Sequence, residues 1–158
     1  MRQNQIKQLL VRAEEETRQG LFEHAVASYQ EVLSIAREGE FECELAHLRL
    51  GDLHLGQGRS ALALRHLRCA QTLDAEEPEY ALLIGRALIA LEKPAEAASQ
   101  LFEALRSPRH AGDALAELAV AADQGGDRKT AGLLARKATA INPDDPRYRA
   151  LARAFADA

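Results

Sequence analysis

Cys43 and His47 stand four residues apart, and His66 and Cys69 three apart, so each pair shares a face if its segment is helical. Two thiolates and two imidazoles are by number a zinc set, since zinc takes four such donors in a tetrahedron. A hairpin would bring both pairs to the same end. Their spacing follows no standard zinc finger, however, and surface or packing positions explain them without an ion. No metal is therefore expected, and His24, His54 and His110 show no role beyond surface or packing. Nothing else in the chain offers stronger chemistry. There is no phosphate-binding glycine loop, no nucleophile elbow, no His-Glu-x-x-His and no Cys-x-x-Cys. The carboxylates are scattered, and spacing singles out no acid and base pair. The expectation is a non-enzyme with no catalytic residue and no cofactor.

The elements that would hold these residues repeat. Gly51, Gly85 and Ala119 form one column at intervals of 34 residues, Ala63, Ala97 and Ala131 a second, and Ala70, Ala104 and Ala138 a third. An earlier copy puts Ala13, Ala25 and Val32 in the same columns once four residues are inserted after it. Each unit reads as two helices around a short break, at Gly20, at Gly56 to Gly58, at Glu92 to Pro94, and at Gly125 and Gly126. Turn signals separate the units at Asp74 to Pro78, Ser107 to Asp113, and Asn142 to Pro146. Glycine or alanine in these columns lets two helix backbones approach, where a leucine would push them apart.

Composition sets limits on partners and compartment. Of the 158 residues 47% are hydrophobic and 4% aromatic, so the interior is built from small and aliphatic side chains. A net charge of −4 argues against nucleic acid, whose phosphates need a basic face. The basic stretches Arg59, Arg65, His66, Arg68 and Arg128, Lys129, Arg136, Lys137 read as solvated outer faces. The most apolar run, Ala81 to Leu91, is interrupted by Arg86 and falls short of a membrane span. No export signal is evident near the start, and two cysteines make no disulfide framework, so a cytoplasmic protein is expected. The preference for Arg and Ala suggests a GC-rich, bacterial source.

With these columns in place, the chain resembles the tetratricopeptide repeat (TPR) family, whose 34-residue unit carries W-x2-L-G-x2-Y, then A-x3-F, then P. The corresponding stretches are Leu50-Gly51-x2-His54, Ile84-Gly85-x2-Leu88 and Leu118-Ala119-x2-Ala122. The second halves are Ala25-x3-Tyr29, Ala63-x3-Leu67, Ala97-x3-Leu101 and Ala131-x3-Ala135, and Pro143 fills the proline column. The resemblance implies an all-α, right-handed α-solenoid of four TPR hairpins, about 6–39, 44–77, 78–111 and 112–145, with a capping helix at 146–158. The whole would be one domain. The first copy departs most: Arg12 stands where the others have Leu50, Ile84 and Leu118, as suits a terminal repeat whose outer face meets water. Residues 41–43 are surplus, predicting a longer connection over 38–43 or about one more helical turn.

TPR arrays of this kind line a concave groove with the first helix of each repeat. The resemblance thus assigns Lys7, Leu10, Glu14 and Thr17; Leu45, Leu48, Asp52 and Leu55; Glu79, Leu82, Arg86 and Ile89; and Asp113, Ala116, Val120 and Asp123 to that surface. Its centre would be apolar, with Asp52 and Arg86 free to orient polar groups of a ligand. The alternative is that Leu45, Leu48 and Leu82 pack against neighbouring helices. Relatives that hold acidic chaperone tails use Lys, Asn and Arg at positions occupied here by Leu10, Glu14, Arg49, Glu79 and Leu83, so that activity is not expected.

The expected function is a non-catalytic scaffold that binds a peptide or helix of a partner protein in its groove, with no nucleic-acid or membrane partner. The alternatives are a TPR-type chaperone or assembly factor of a bacterial secretion system, and a self-associating structural array.

Overall fold

The computed structural model describes residues 1–74 and 77–156, and among these there are nine helices and no strand. The turn expected at 74–78 lies partly outside the described residues, as do the last two residues of the closing segment. The chain divides into two compact units, 1–76 and 77–158. In the first, α1 (Arg2–Arg18) pairs with α2 (Phe22–Ile35), and α3 (Phe41–Gly56) with α4 (Ser60–Leu73). In the second, α5 (Pro78–Ala90) pairs with α6 (Pro94–Ala104) and α7 (Ala111–Gln124) with α8 (Arg128–Ile141), while α9 (Pro146–Ala154) packs on α8 and α7. No helix among the described residues is long and apolar enough to cross a membrane.

The same bond closes every hairpin. The amide of Leu21 donates to the carbonyl of Glu16 at 2.8 Å, Arg59 to His54 at 2.8 Å, Lys93 to Leu88 at 2.9 Å and Asp127 to Ala122 at 2.9 Å. This six-to-one bond belongs to a helix C-cap whose penultimate residue turns left-handed. Gly20, Gly58 and Gly126 hold φ of 74°, 72° and 86° there. The third turn uses Glu92 at φ 57°, a conformation that costs a side chain roughly 1–2 kcal/mol. The turn is therefore set by the hairpin's geometry, and glycine only makes it easier.

Inside the hairpins the small column faces a large one. A Cβ on Gly51 would lie 2.5 Å from Leu67 Cγ, and one on Gly85 2.6 Å from both Cγ and Cδ2 of Leu101. No real contact is that short, so glycine is what lets each leucine lie across the first helix. The fourth hairpin solves the same problem with two alanines. Ala119 and Ala135 are both fully buried, and Phe155, just beyond α9, joins their cluster. Tyr148 covers the neighbouring stretch of α7, where a Cβ on Gly112 would meet its hydroxyl oxygen at 2.9 Å. Asp145 starts α9 by accepting the Arg147 amide at 2.8 Å.

The first hairpin keeps its polar face polar. Arg12 donates through Nε to Ser28 Oγ at 3.0 Å and through Nη2 to Glu31 Oε2 at 2.7 Å, while Ser28 donates to Glu16 at 2.6 Å. A guanidinium network thus stands where the other hairpins place Leu50, Ile84 and Leu118. Residues 36–40 link α2 to α3, with Glu40 paired to Arg2 and accepting the Arg37 amide. Those two partners hold the Glu40 carboxyl below its usual range.

Candidate functional site

In the first unit, α1, α2 and α3 enclose a cleft of about 350 Å³ lined by Glu14, Thr17, Arg18, Tyr29, Arg49, Asp52 and Leu53. Tyr29, with 1% exposure, forms its floor. Burial raises the tyrosine pKa, and a hydrogen bond with Thr17 and the nearby Arg49 charge work against that rise. Arg18 is paired with Glu15 at 2.5 Å. Glu14, Arg49 and Asp52 are exposed and make no hydrogen bond or ion pair among the described residues. Spacing explains the arrangement: Arg49, Asp52 and Leu53 fall at three and four on one face of α3, as do Glu14, Thr17 and Arg18 on α1.

The first helices of the second unit present a different surface, because Arg86, Asp113 and Glu117 pair with one another or with α9. Arg86 on α5 lies 2.8 Å from Glu117 and 3.7 Å from Asp113 on α7. Arg147 on α9 reaches Asp113 at 3.0 Å and Asp145 at 2.7 Å, and Tyr148 donates to Asp113 at 2.8 Å. Burial and the adjoining Asp113 carboxylate push the Tyr148 pKa up to about 12, so the phenol stays a donor at neutral pH.

Several residues expected in the groove lie elsewhere. Leu48 and Leu82 are buried, at 8% and 3% exposure, and so are Ile89 and Ala116, the last in a cluster with Ala138 and Tyr148. An apolar groove centre built on those side chains is corrected accordingly: they are interior, where burying a leucine is worth about 1.5–3 kcal/mol. Leu10 is half-buried against the first unit's core, and Leu45, Leu55, Glu79 and Val120 are also half-buried. Arg86 is engaged by carboxylates and does not stand free. Glu14, Thr17 and Asp52 do line the cleft. Arg18, Tyr29, Arg49 and Leu53 were not foreseen in it. The expected stripe on α3 ran through Leu45, Leu48, Asp52 and Leu55; of these Asp52 lines the cleft, beside Arg49 and Leu53. The change of character from Leu48 to Arg49 was the available signal.

The histidines of the second hairpin do come together, in a different way from a metal centre. His47 Nδ1 and His66 Nδ1 lie 3.0 Å apart, and the His66 ring stacks on His54 with centroids 5.7 Å apart. Cys43 is buried and its thiol pKa is raised by that burial. No group of three or more His, Cys, Asp or Glu among the described residues is placed to hold a metal ion. His66, read from sequence as part of a solvated basic face, is 8% exposed.

Solved structures share this arrangement. MamA superposes with a TM-score of 0.82 at 20% identity over 97% of this chain and 81% of its own. PilF of Pseudomonas aeruginosa gives 0.80 at 18% identity over 98% and 68%. YrrB, described as a TPR protein with an unusual peptide-binding site, gives 0.77 at 20% identity over 87% and 69%. Identities this low establish a common fold and nothing finer. No sequence among the curated proteins matches the chain. The sequence profile of the tetratricopeptide repeat family matches residues 48–109 and again 82–146, together well over half the chain. That span takes in three of the four turn bonds and all three strict columns, so the chain belongs to the tetratricopeptide repeat family.

Proposed function

We propose that the protein is a non-catalytic interaction scaffold, and that the cleft of its first unit binds a segment of a partner protein. The observation that carries this reading is the group Glu14, Arg49 and Asp52, exposed around a cleft and free of internal partners. In the second unit Arg86, Asp113 and Glu117 are instead spent on each other. The volume is at the small end for ligand pockets, so it admits a few side chains and not a whole globular surface. Two carboxylates and one guanidinium suit a segment with a Lys or Arg facing Glu14 and Asp52 and a carboxylate facing Arg49. The peptide-binding site named for YrrB supports a segment as the ligand. A bacterial cytoplasmic setting remains part of the proposal, on composition alone.

Charge reversal tests it. Partner capture from a lysate of the source cells, identified by mass spectrometry, is expected to fall at least tenfold, about 1.4 kcal/mol, with Asp52→Arg or Arg49→Glu. Helical circular dichroism should stay unchanged, since neither side chain makes an internal bond. Undiminished capture by both variants would place the binding surface elsewhere.

A further inference from the structure

Three histidines occupy the seam between α3 and α4. His54 is 4% exposed, His66 8%, and His47 is half-buried. The 3.0 Å contact between His47 Nδ1 and His66 Nδ1 works only if one nitrogen carries a proton and the other accepts it. That requires at least one neutral ring. On its other side His66 stacks on His54, so a proton added to any two of the three puts two cations with ring centroids 5.2 or 5.7 Å apart when one of them is His66.

The surroundings offer little to stabilise such charge. Arg65 and Arg59 on α4 add positive potential at His66 and His54. Glu23 on α2 acts on His54 in the opposite sense but already accepts from Arg59 at 2.8 Å. Neither His54 Nδ1 nor Gln57 Oε1 closes a hydrogen bond, but the Gln57 side chain lies close enough to His54 to work against the fall in its pKa that burial causes.

We propose that the His47, His66 and His54 cluster is an acid-sensitive joint: protonation below neutral pH separates α3 from α4 and opens the second hairpin. Burial lowers all three pKa values, and burial with the neighbouring rings brings His66 to about 4. In the unfolded chain the same imidazole titrates near 6.5. The unfolded state therefore binds more protons between those values, so stability is complete above about pH 6.5 and is lost as the pH falls towards 4. From pH 7 to pH 5, His66 alone raises the unfolding constant on the order of 20-fold. Since α3 also carries Arg49, Asp52 and Leu53, acid would release a ligand from the cleft. Only that last consequence rests on the proposed function.

Urea unfolding of the full chain without ligand, at pH 7 and pH 5, tests the joint apart from any binding. Wild type and the surface control His24→Asn should lose stability together, and His66→Asn should lose about 20-fold less in unfolding constant. Equal pH dependence in wild type and His66→Asn would overturn the proposal. If His66→Asn does not fold, nuclear magnetic resonance titration of the wild-type rings decides. His66 should stay neutral at pH 5.5, and titration of His66 near 6.5, the value of a free imidazole, would contradict the joint.

Discussion

Removing the chain from Pro146 onward lowers the melting temperature by about 10 °C or more and reduces solubility with it. α9 and the residue after it place Tyr148 and Phe155, 5% and 7% exposed, over Gly112, Ala116, Ala119 and Ala135. Losing one buried aromatic side chain costs about 3–5 kcal/mol. At this chain length each kcal/mol shifts the midpoint by about 2–4 °C. The bond from Arg128 to the Ala154 carbonyl, at 3.0 Å, goes as well. Tyr148→Phe separates the two parts of the effect: it keeps the ring over Gly112 and loses only the bond to Asp113, about 1.5–3 kcal/mol for a charged acceptor. Thermal circular dichroism of the three proteins measures both. A truncated protein that melts with the full chain would show that α9 covers nothing.

Leu101→Ala is expected to destabilise the third hairpin by about 2–5 kcal/mol, and Gly85→Ala by about 1–2 kcal/mol, once overpacking is set against alanine's better helix propensity. Together they should cost less than their sum by about 1 kcal/mol, because the new methyl enters space that Leu101 vacates. The fourth hairpin already contains that pairing, as Ala119 and Ala135. The double variant still falls short of wild type, since the third hairpin has no counterpart of Phe155 to fill the remainder. Urea unfolding of the four proteins gives the coupling directly, and strict additivity would mean that Gly85 and Leu101 do not limit each other.

The small columns were legible in the sequence because they are steric. Gly51 and Gly85 recur at 34 residues, and the backbone tolerates no Cβ there beside Leu67 and Leu101. The hairpin breaks were legible for a related reason, since three of the four left-handed positions are glycines. The site was harder to read. Along an α-helix adjacent residues point about 100° apart, so an error of one position moves a stripe from surface to interior. Leu48 and Arg49 are that pair. Tyr29 was read only as the second member of the Ala25-x3-Tyr29 motif, because a buried tyrosine can form a cleft's floor without changing any periodicity. The pairing of Arg86 with Glu117 was invisible for another reason: the partners lie 31 residues apart on different helices, at a spacing that belongs to no column. Likewise the histidine seam joins positions 47, 54 and 66, whose meeting depends on how α4 is rotated against α3.

Site-specific photo-crosslinking tests the central claim most directly. A photoreactive amino acid placed at Asp52, on the cleft, and separately at Gln30, exposed on α2 and outside the cleft lining, is irradiated in the source cells. The account predicts one discrete crosslinked partner from position 52, absent from position 30, with the crosslink mapping to a short segment that carries a basic residue. Crosslinking from position 30 and none from position 52, by a protein that still co-purifies with its partner, would contradict it.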